Sequence, residues 1–260
     1  MKSDLINRLY SSSSDFAASH LGQHSFLLKM GDKLLAFDPF LTPLSRRLLP
    51  PPVPAGSLEK MSLIFGSHDH ADHIDRPSLA AMAEASESAV FIFPKAVKGG
   101  FDGVPEERII RMDAGETVTV DGVKISALAS AHELLEYDEN GSCLCLGFVV
   151  EYAGKTVYHS GDCCIYEGLA GSLKKWHFDL MMLPVNGRDA ARLRRGCLGN
   201  MSYQEAVELA GMLRPELVFP GHYDMFAGNT ADPADFLEYL SVKFPGVKGE
   251  LPPFGSVREL

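Results

Sequence analysis

The chain has 260 residues, 46% of them hydrophobic, and a formal net charge of −10 at pH 7. That apolar content can fill one large core, so a single domain over 1–260 is expected. The acidic balance removes bulk attraction to nucleic acid or to an anionic membrane surface. No apolar run nears the ~18 residues of a membrane span, and residues 1–14 lack an apolar core of signal-peptide length. The five cysteines follow no framework spacing, which predicts reduced thiols in a soluble, cytoplasmic protein.

In chain order, strands are predicted at 26–30, 33–37 and 61–65, a helix at 78–86 and a strand at 90–93. The run Pro50-Pro51-Pro52-Val53-Pro54 reads as a rigid extended loop. Strands follow at 117–120, 123–129, 144–152 and 156–158, then a helix at 165–174 and a strand at 180–183. A helix at 202–213 opens with Ser202 and, three residues on, Glu205, the pair of a capping box. A strand at 217–219 and a helix at 233–242 complete the series. Strands crowd the first half and helices become regular in the second. That order predicts a layered α/β protein with mixed sheets rather than a TIM barrel or a doubly wound sheet. No glycine-rich phosphate loop opens a helix, which argues against nucleotide chemistry.

The densest chemistry lies in Ser67-His68-Asp69-His70-Ala71-Asp72-His73, where three of nine histidines and two aspartates fall within six residues. In an extended loop, residues two apart point the same way, so His68 and His70 can face one ion. Asp72 and His73 follow where the chain must turn and can reach a second, adjacent ion. Neutral imidazole and carboxylate ligate Zn, Mn, Fe and Ni. Three more candidates each follow a predicted strand: His132 after 123–129, Asp162 after 156–158 and His222 after 217–219. Loops at strand ends, held by a rigid sheet, are where sites usually sit.

His-x-His-x-Asp-His, a later lone His, Gly161-Asp162 and Gly221-His222 together resemble the metallo-β-lactamase superfamily. The stretches 21–28 and 37–41 look like the opening strands of that fold. Ser130-Ala131-His132-Glu133, His159-Ser160-Gly161-Asp162, 184–189, Gly199-Asn200-Met201 and 221–226 are similar to its L-ascorbate-6-phosphate lactonase-like branch. The resemblance implies a four-layer αββα sandwich with a metal centre along one edge. It gives His68, His70 and His132 to one divalent ion, and Asp72, His73 and His222 to another, with Asp162 bridging. One or two ions are implied, Zn or Mn foremost and Fe or Ni as alternatives. Diiron relatives that reduce oxygen carry Glu where this chain has His70, so the histidine favours hydrolysis. A divalent ion lowers the pKa of bound water by several units, and Asp72 is the catalytic candidate to orient that water or move its proton.

Other residues are weaker candidates. His24 either lines the pocket or is a hydrogen-bonded structural histidine. Asn186 and Arg188 follow a strand on the same edge, and a guanidinium there can clamp a phosphate or carboxylate unless it pairs with an acid such as Asp189. Asp38 is expected to support the metal loop as a hydrogen-bond acceptor, and His159 to stand behind Asp162. Arg192, Arg194 and Arg195 read as a solvated face or a subunit contact. Asn200 is a candidate helix cap. Cys163 and Cys164 read as small buried side chains rather than ligands, and Cys143-x-Cys145 as one face of a strand. The segment 134–142 is expected to form a hairpin loop overhanging the metal edge.

The leading expectation is thus a metal-dependent hydrolase of a small anionic metabolite, concretely a sugar-phosphate lactone. The alternatives are a phosphodiesterase or nuclease of the same fold, or a non-catalytic metal-binding protein. Nucleic acid and membrane are not expected partners, and the sequence is compatible with a homo-oligomer.

Overall fold

Most of the apolar runs do not alternate, and such strands are stable only when both faces are covered. The computed structural model of the chain, which describes residues 4–260, covers them with a second sheet on one side and helices on the other. The first sheet uses β1 (Phe16–Gly22), β2 (Ser25–Met30), β3 (Lys33–Phe37), β4 (Met61–Phe65), β5 (Val90–Pro94) and β6 (Ile109–Met112). The second uses β7 (Thr117–Val120), β8 (Val123–Ala129), β9 (Leu146–Tyr152), β10 (Lys155–His159), β11 (Leu180–Pro184) and β12 (Val218–Gly221). The short β13 (Arg258–Glu259) returns to the first sheet, whose order is β13-β1-β2-β3-β4-β5-β6, against β12-β11-β10-β9-β8-β7 in the second. Each sheet is an antiparallel meander that becomes parallel, at β3/β4 and at β10/β11. Parallel neighbours need crossovers. These carry α2 (Arg76–Ala85), α3 (Leu169–Leu173), α4 (Ala190–Arg194) and α5 (Tyr203–Leu213).

Three apolar cores separate four layers, as an αββα sandwich requires. Leu9 of α1 (Asp4–Tyr10) and Met82 of α2 pack on Ala17 and Phe91 of the first sheet. Phe26, Phe37, Phe65, Phe148 and Phe219 fill the space between the sheets, with the Phe37 and Phe65 rings stacked at 4.5 Å. Leu209 of α5 and Phe236 of α6 (Pro233–Lys243) pack with Tyr158 and Phe178 on the outer face of the second sheet. Burying a side chain of this size contributes roughly 1.5–3 kcal/mol. The exposed edge strand β7, Thr-Val-Thr-Val, is the one that alternates visibly.

Several boundaries differ from expectation. Strand β1 is absent from the sequence reading because Ala17, Ala18, Ser19 and Gly22 have weak strand preference; it forms because both of its faces are buried. Helices α1 and α4 and strands β6 and β13 were likewise not predicted, being short. The helix expected at 165–174 contracts to α3. Helix α2 begins at Arg76, with Pro77 in its first turn, where a missing N–H costs nothing. Cys143 and Cys145 precede β9 rather than lie on it. The capping box at Ser202 and Glu205 is present as expected. Residues 1–3, where the stretch read for a signal peptide begins, lie outside the described residues. Among the described residues no helix is long and apolar enough to cross a membrane, and all five cysteines are free.

Candidate metal centre

Four strand ends meet on one rim of the sandwich. The turn after β4 carries His68, His70, Asp72 and His73, while His132 follows β8, Asp162 follows β10 and His222 follows β12. Their donor atoms form three groups, His68–His70–His132, His68–His73–Asp162 and Asp72–His73–His222, each with its atoms within 4.8 Å of one another. Asp162 lies between the outer two groups. Its Oδ1 is 3.3 Å from His73 Nε2, and its Oδ2 is 3.1 Å from His222 Nε2 and 3.5 Å from His132 Nε2. Asp72 Oδ2 is 3.6 Å from His73 Nε2.

Backbone and carboxylate partners fix which nitrogen of each ring turns inward. His73 Nδ1 donates to Asp38 Oδ2 at 2.6 Å, and His132 Nδ1 donates to the Gly199 carbonyl at 3.0 Å. Ser67 Oγ gives its proton to Asp38 Oδ2 at 2.6 Å and so accepts from His68 Nδ1 at 3.0 Å. In all three rings Nε2 therefore points into the cluster. Asp38 thus accepts from both Ser67 and His73. His159 Nε2 donates to the His24 carbonyl at 2.9 Å, and its Nδ1 accepts the Gly161 N–H at 3.2 Å, steadying the turn that presents Asp162.

The buried carboxylates give the site a negative charge that suits a cation, and His73 must give up a proton to join in holding one. Burial pushes the His68 imidazole down, partial burial does the same to the solvent-facing His70, and neighbouring imidazoles add to both. Burial would raise Asp162 and Asp72, but His222 and His73 outweigh it and hold both below the ordinary carboxylate value. For His73, burial is overcome by Asp162, Asp72 and Asp38, which raise it well above 6.5. Buried Asp162 Oδ1 and His73 Nε2 face each other at 3.3 Å and make no other hydrogen bond, so both atoms are open to an ion in the cluster. Ionised carboxylates, inward imidazoles and these open buried atoms fit one or two divalent ions of the Zn or Mn type.

The rim is also where the backbone is strained. Of nine described non-glycine residues with positive φ, five are here: Gln23, Asp38, Glu133, His222 and Asp224. Each costs on the order of 1–2 kcal/mol. The Gln23 carbonyl accepts the His222 N–H at 2.6 Å, and Glu133 Oε1 accepts the Gly199 N–H at 2.9 Å, so specific bonds hold the strain. At Gly161, φ is +59°, and a Cβ would meet the Leu146 carbonyl at 2.7 Å and Ser67 Cβ at 2.8 Å. Only glycine lets the Asp162 turn come so close.

Two residues with roles here carried no sequence signal. Gln23 Nε2 donates to Asp72 Oδ2 at 2.7 Å and lies 3.2 Å from His222 Nε2. Asp75 accepts the Leu41 and Thr42 N–H groups, both at 2.7 Å, tying the 38–42 loop to the ligand turn. Neither belongs to a ligand-like spacing, and both are brought in by the fold.

The residues expected to contact substrate have neighbours within the protein. Arg188 directs its fork at Glu205, with contacts of 2.7 and 2.8 Å, and donates to the Asn200 carbonyl at 3.0 Å. Its partner is thus the capping-box glutamate, while Asp189 caps α4. Asn186 is buried, donating to Asn229 Oδ1 at 3.0 Å and accepting from Asn200 Nδ2 at 3.1 Å, so Asn200 is not a helix cap. His24 is fully buried, its ring 4.2 Å from that of His159. Arg188 and Asn186 thus have protein partners, while both His24 ring nitrogens are buried without one. Arg192 and Arg195 donate to the Thr230 and Gly228 carbonyls at 2.6 and 2.7 Å, pinning the loop after His222. Cys163 and Cys164 are buried with their thiols on carbonyls.

A cavity of about 430 Å³ opens over His68, His70 and His132. One wall is the loop Ala96–Lys98. The other is the 134–142 segment, a hairpin as expected, closed by Asp138 N–H to the Ser142 carbonyl and Leu144 N–H to the Glu136 carbonyl, both at 2.9 Å.

A family model described as beta-lactamase superfamily domain matches residues 35–223, a span holding all seven clustered residues. The chain belongs to that superfamily. It is 30% identical over 226 residues to a UPF0173 metal-dependent hydrolase of Pelotomaculum thermopropionicum, covering 83% of this chain and 88% of that one. It is 28% identical over 227 residues to a UPF0173 metal-dependent hydrolase of Pyrococcus abyssi, covering 86% and 91%. The fold of Igni18, described as a novel metallo hydrolase of Ignicoccus hospitalis, superposes with a TM-score of 0.69 at 21% identity, covering 94% of this chain and 97% of that one. The chain is thus placed among the metal-dependent hydrolases of the superfamily.

Proposed function

We propose that the chain uses one or two divalent ions, held by His68, His70, Asp72, His73, His132, Asp162 and His222, to hydrolyse a small ester or lactone. The observation that carries this reading is the position of Asp162, whose two oxygens face His73 on one side and His132 and His222 on the other. An ion bound there supplies activated water and positive charge against a developing oxyanion. The protein's part is positioning. Asp38, Ser67 and the Gly199 carbonyl orient three imidazoles, and Gln23 holds Asp72, whose second oxygen is left to take or relay a proton. The pocket leads to His70, the one exposed member of the histidine set, so substrate enters over the His68–His70–His132 group. A phosphodiesterase or nuclease reading has less support, because the pocket walls carry carboxylates and their one lysine, Lys98, is paired with Glu139.

The test is elemental analysis of protein purified without added metal, followed by a screen of lactones, esters and phosphodiesters with Zn and Mn. Asp162→Ala should lose bound metal and hydrolysis together while circular dichroism stays unchanged. Full activity in that variant would defeat the reading.

A further inference from the structure

The pocket has a sign. Its walls carry four carboxylates, Asp69, Glu136, Asp138 and Glu139, against a single lysine. Asp69 is paired with Arg76 at 2.8 Å and Glu139 with Lys98 at 2.6 Å. Asp138 Oδ1 accepts the N–H groups of Asn140 and Ser142 at 2.8 and 2.9 Å. Glu136 is different: among the described residues its carboxylate has no hydrogen bond or ion pair. Next to it, Tyr137 is 54% exposed, and its ring has no aromatic or cationic partner among the described residues. Both residues line the cavity, and an unpaired carboxylate and a free aromatic ring on one wall are the combination that recognises an organic cation.

Acidic residues on a hairpin would by themselves be a solvated loop. These wall a site because the floor of the same cavity is His68, His70 and His132, with the buried Asp162 Oδ1 and His73 Nε2, which have no further partner, in the same cluster. With ions in place the floor is positive while the hairpin wall is negative. A molecule lying across the pocket is then held best with its electron-rich acyl group on the floor and a positive charge at the wall. The cavity volume falls in the range of small-molecule sites. Leu144, Leu198 and Val97 give it apolar surface for the part between the two ends.

We propose that Glu136 and Tyr137 form a cation subsite, and that the substrate is a small ester or lactone carrying an ammonium-type group remote from the bond that is cut. This rests on the hydrolase reading above. Hydrolysis itself stays ordinary: the water oxygen bonds to the acyl carbon, the acyl–oxygen bond breaks, and the departing oxygen leaves with a proton from water.

The test uses three meta-substituted phenyl acetates, 3-(trimethylammonio)phenyl, its isostere 3-tert-butylphenyl and the anionic 3-carboxyphenyl acetate, with the metal-loaded protein. Alongside, binding of phenyltrimethylammonium and of benzoate is titrated by calorimetry, with and without metal. The cationic ester should be preferred over its neutral isostere in kcat/KM, and the anionic one should be poorest. Phenyltrimethylammonium should bind metal-free protein more tightly than benzoate does, and less tightly as salt is raised. Glu136→Gln and Tyr137→Ala should each weaken that binding about three- to fivefold and lower the cationic-to-neutral ratio of kcat/KM. Equal use of all three esters, a preference for the carboxylate, or unchanged cation binding in both variants would overturn the subsite and leave the hydrolase standing. Cation binding that responds to both variants in a protein that cleaves no ester would keep the subsite and reject the hydrolase.

Discussion

His73 Nδ1 and Asp38 Oδ2 lie 2.6 Å apart, both buried, and the same Asp38 oxygen also takes the Ser67 hydroxyl proton at 2.6 Å. One carboxylate thereby orients His73 directly and His68 through Ser67. Asp38→Asn should keep the side-chain shape but lose one acceptor oxygen. We predict a drop in metal affinity of roughly 10–100-fold, read by competition with a chelating dye, in a protein whose circular dichroism is unaltered. Wild-type affinity would show that the imidazoles hold their orientation without this bond.

Gln23 reaches Asp72 and His222 together. Its Nε2 leaves Asp72 with one oxygen engaged and one available. Gln23→Leu removes the donor at similar volume, so Asp72 loses its fixed rotamer while every candidate ligand remains. Turnover should fall by roughly 10–100-fold with metal content close to that of the parent. A variant with full turnover would mean that Asp72 is positioned by its other neighbours alone.

How much of this was readable in advance follows from how local each signal is. The His68–His73 turn is a spacing within six residues, so its chemistry shows in the sequence. His132, Asp162 and His222 were found because each follows an apolar strand, and the sheets bring those strand ends together. Gln23 could not be found that way. It reaches Asp72, 49 positions later, through a left-handed bend that only the packed rim maintains. Arg188 shows the converse. Strand-end position suggested a ligand contact, but α5 offers Glu205 at 2.7 Å, a carboxylate that a planar fork can take with two bonds. Strand β1 was missed because its small residues gain strand character only from burial on both sides.

Arg188 is accordingly predicted to matter for stability rather than for substrate. The pair with Glu205 is part exposed, 41% and 31%, and screening limits such a pair to about 1 kcal/mol. Arg188→Ala should lower the melting temperature by roughly 2–4 °C. Its KM for a neutral ester should match the parent's. A KM raised tenfold at unchanged stability would return Arg188 to the substrate site.

His20 gives the fold a pH limit separate from the metal centre. Its ring stacks on Phe26 at 4.9 Å, and its Nε2 contacts the Gln23 carbonyl at 3.1 Å. Burial lowers its pKa from 6.5 to about 4, against a smaller upward pull from that carbonyl. In the unfolded chain the group takes up a proton near 6.5, while in the folded chain it does not until about 4. The unfolded state therefore gains protons first as pH falls. Stability is undiminished by this group above 6.5 and declines between 6.5 and about 4, at up to roughly 1.4 kcal/mol per pH unit. His20→Gln keeps a polar side chain that can donate to the Gln23 carbonyl and cannot titrate. At pH 7.5 it should be less stable than the parent, through lost ring packing. The gap should then close by on the order of 2–3 kcal/mol on going to pH 4.5, measured by urea unfolding at each pH. A gap that stays constant across that range would show that His20 is protonated in the folded protein as readily as in the unfolded one.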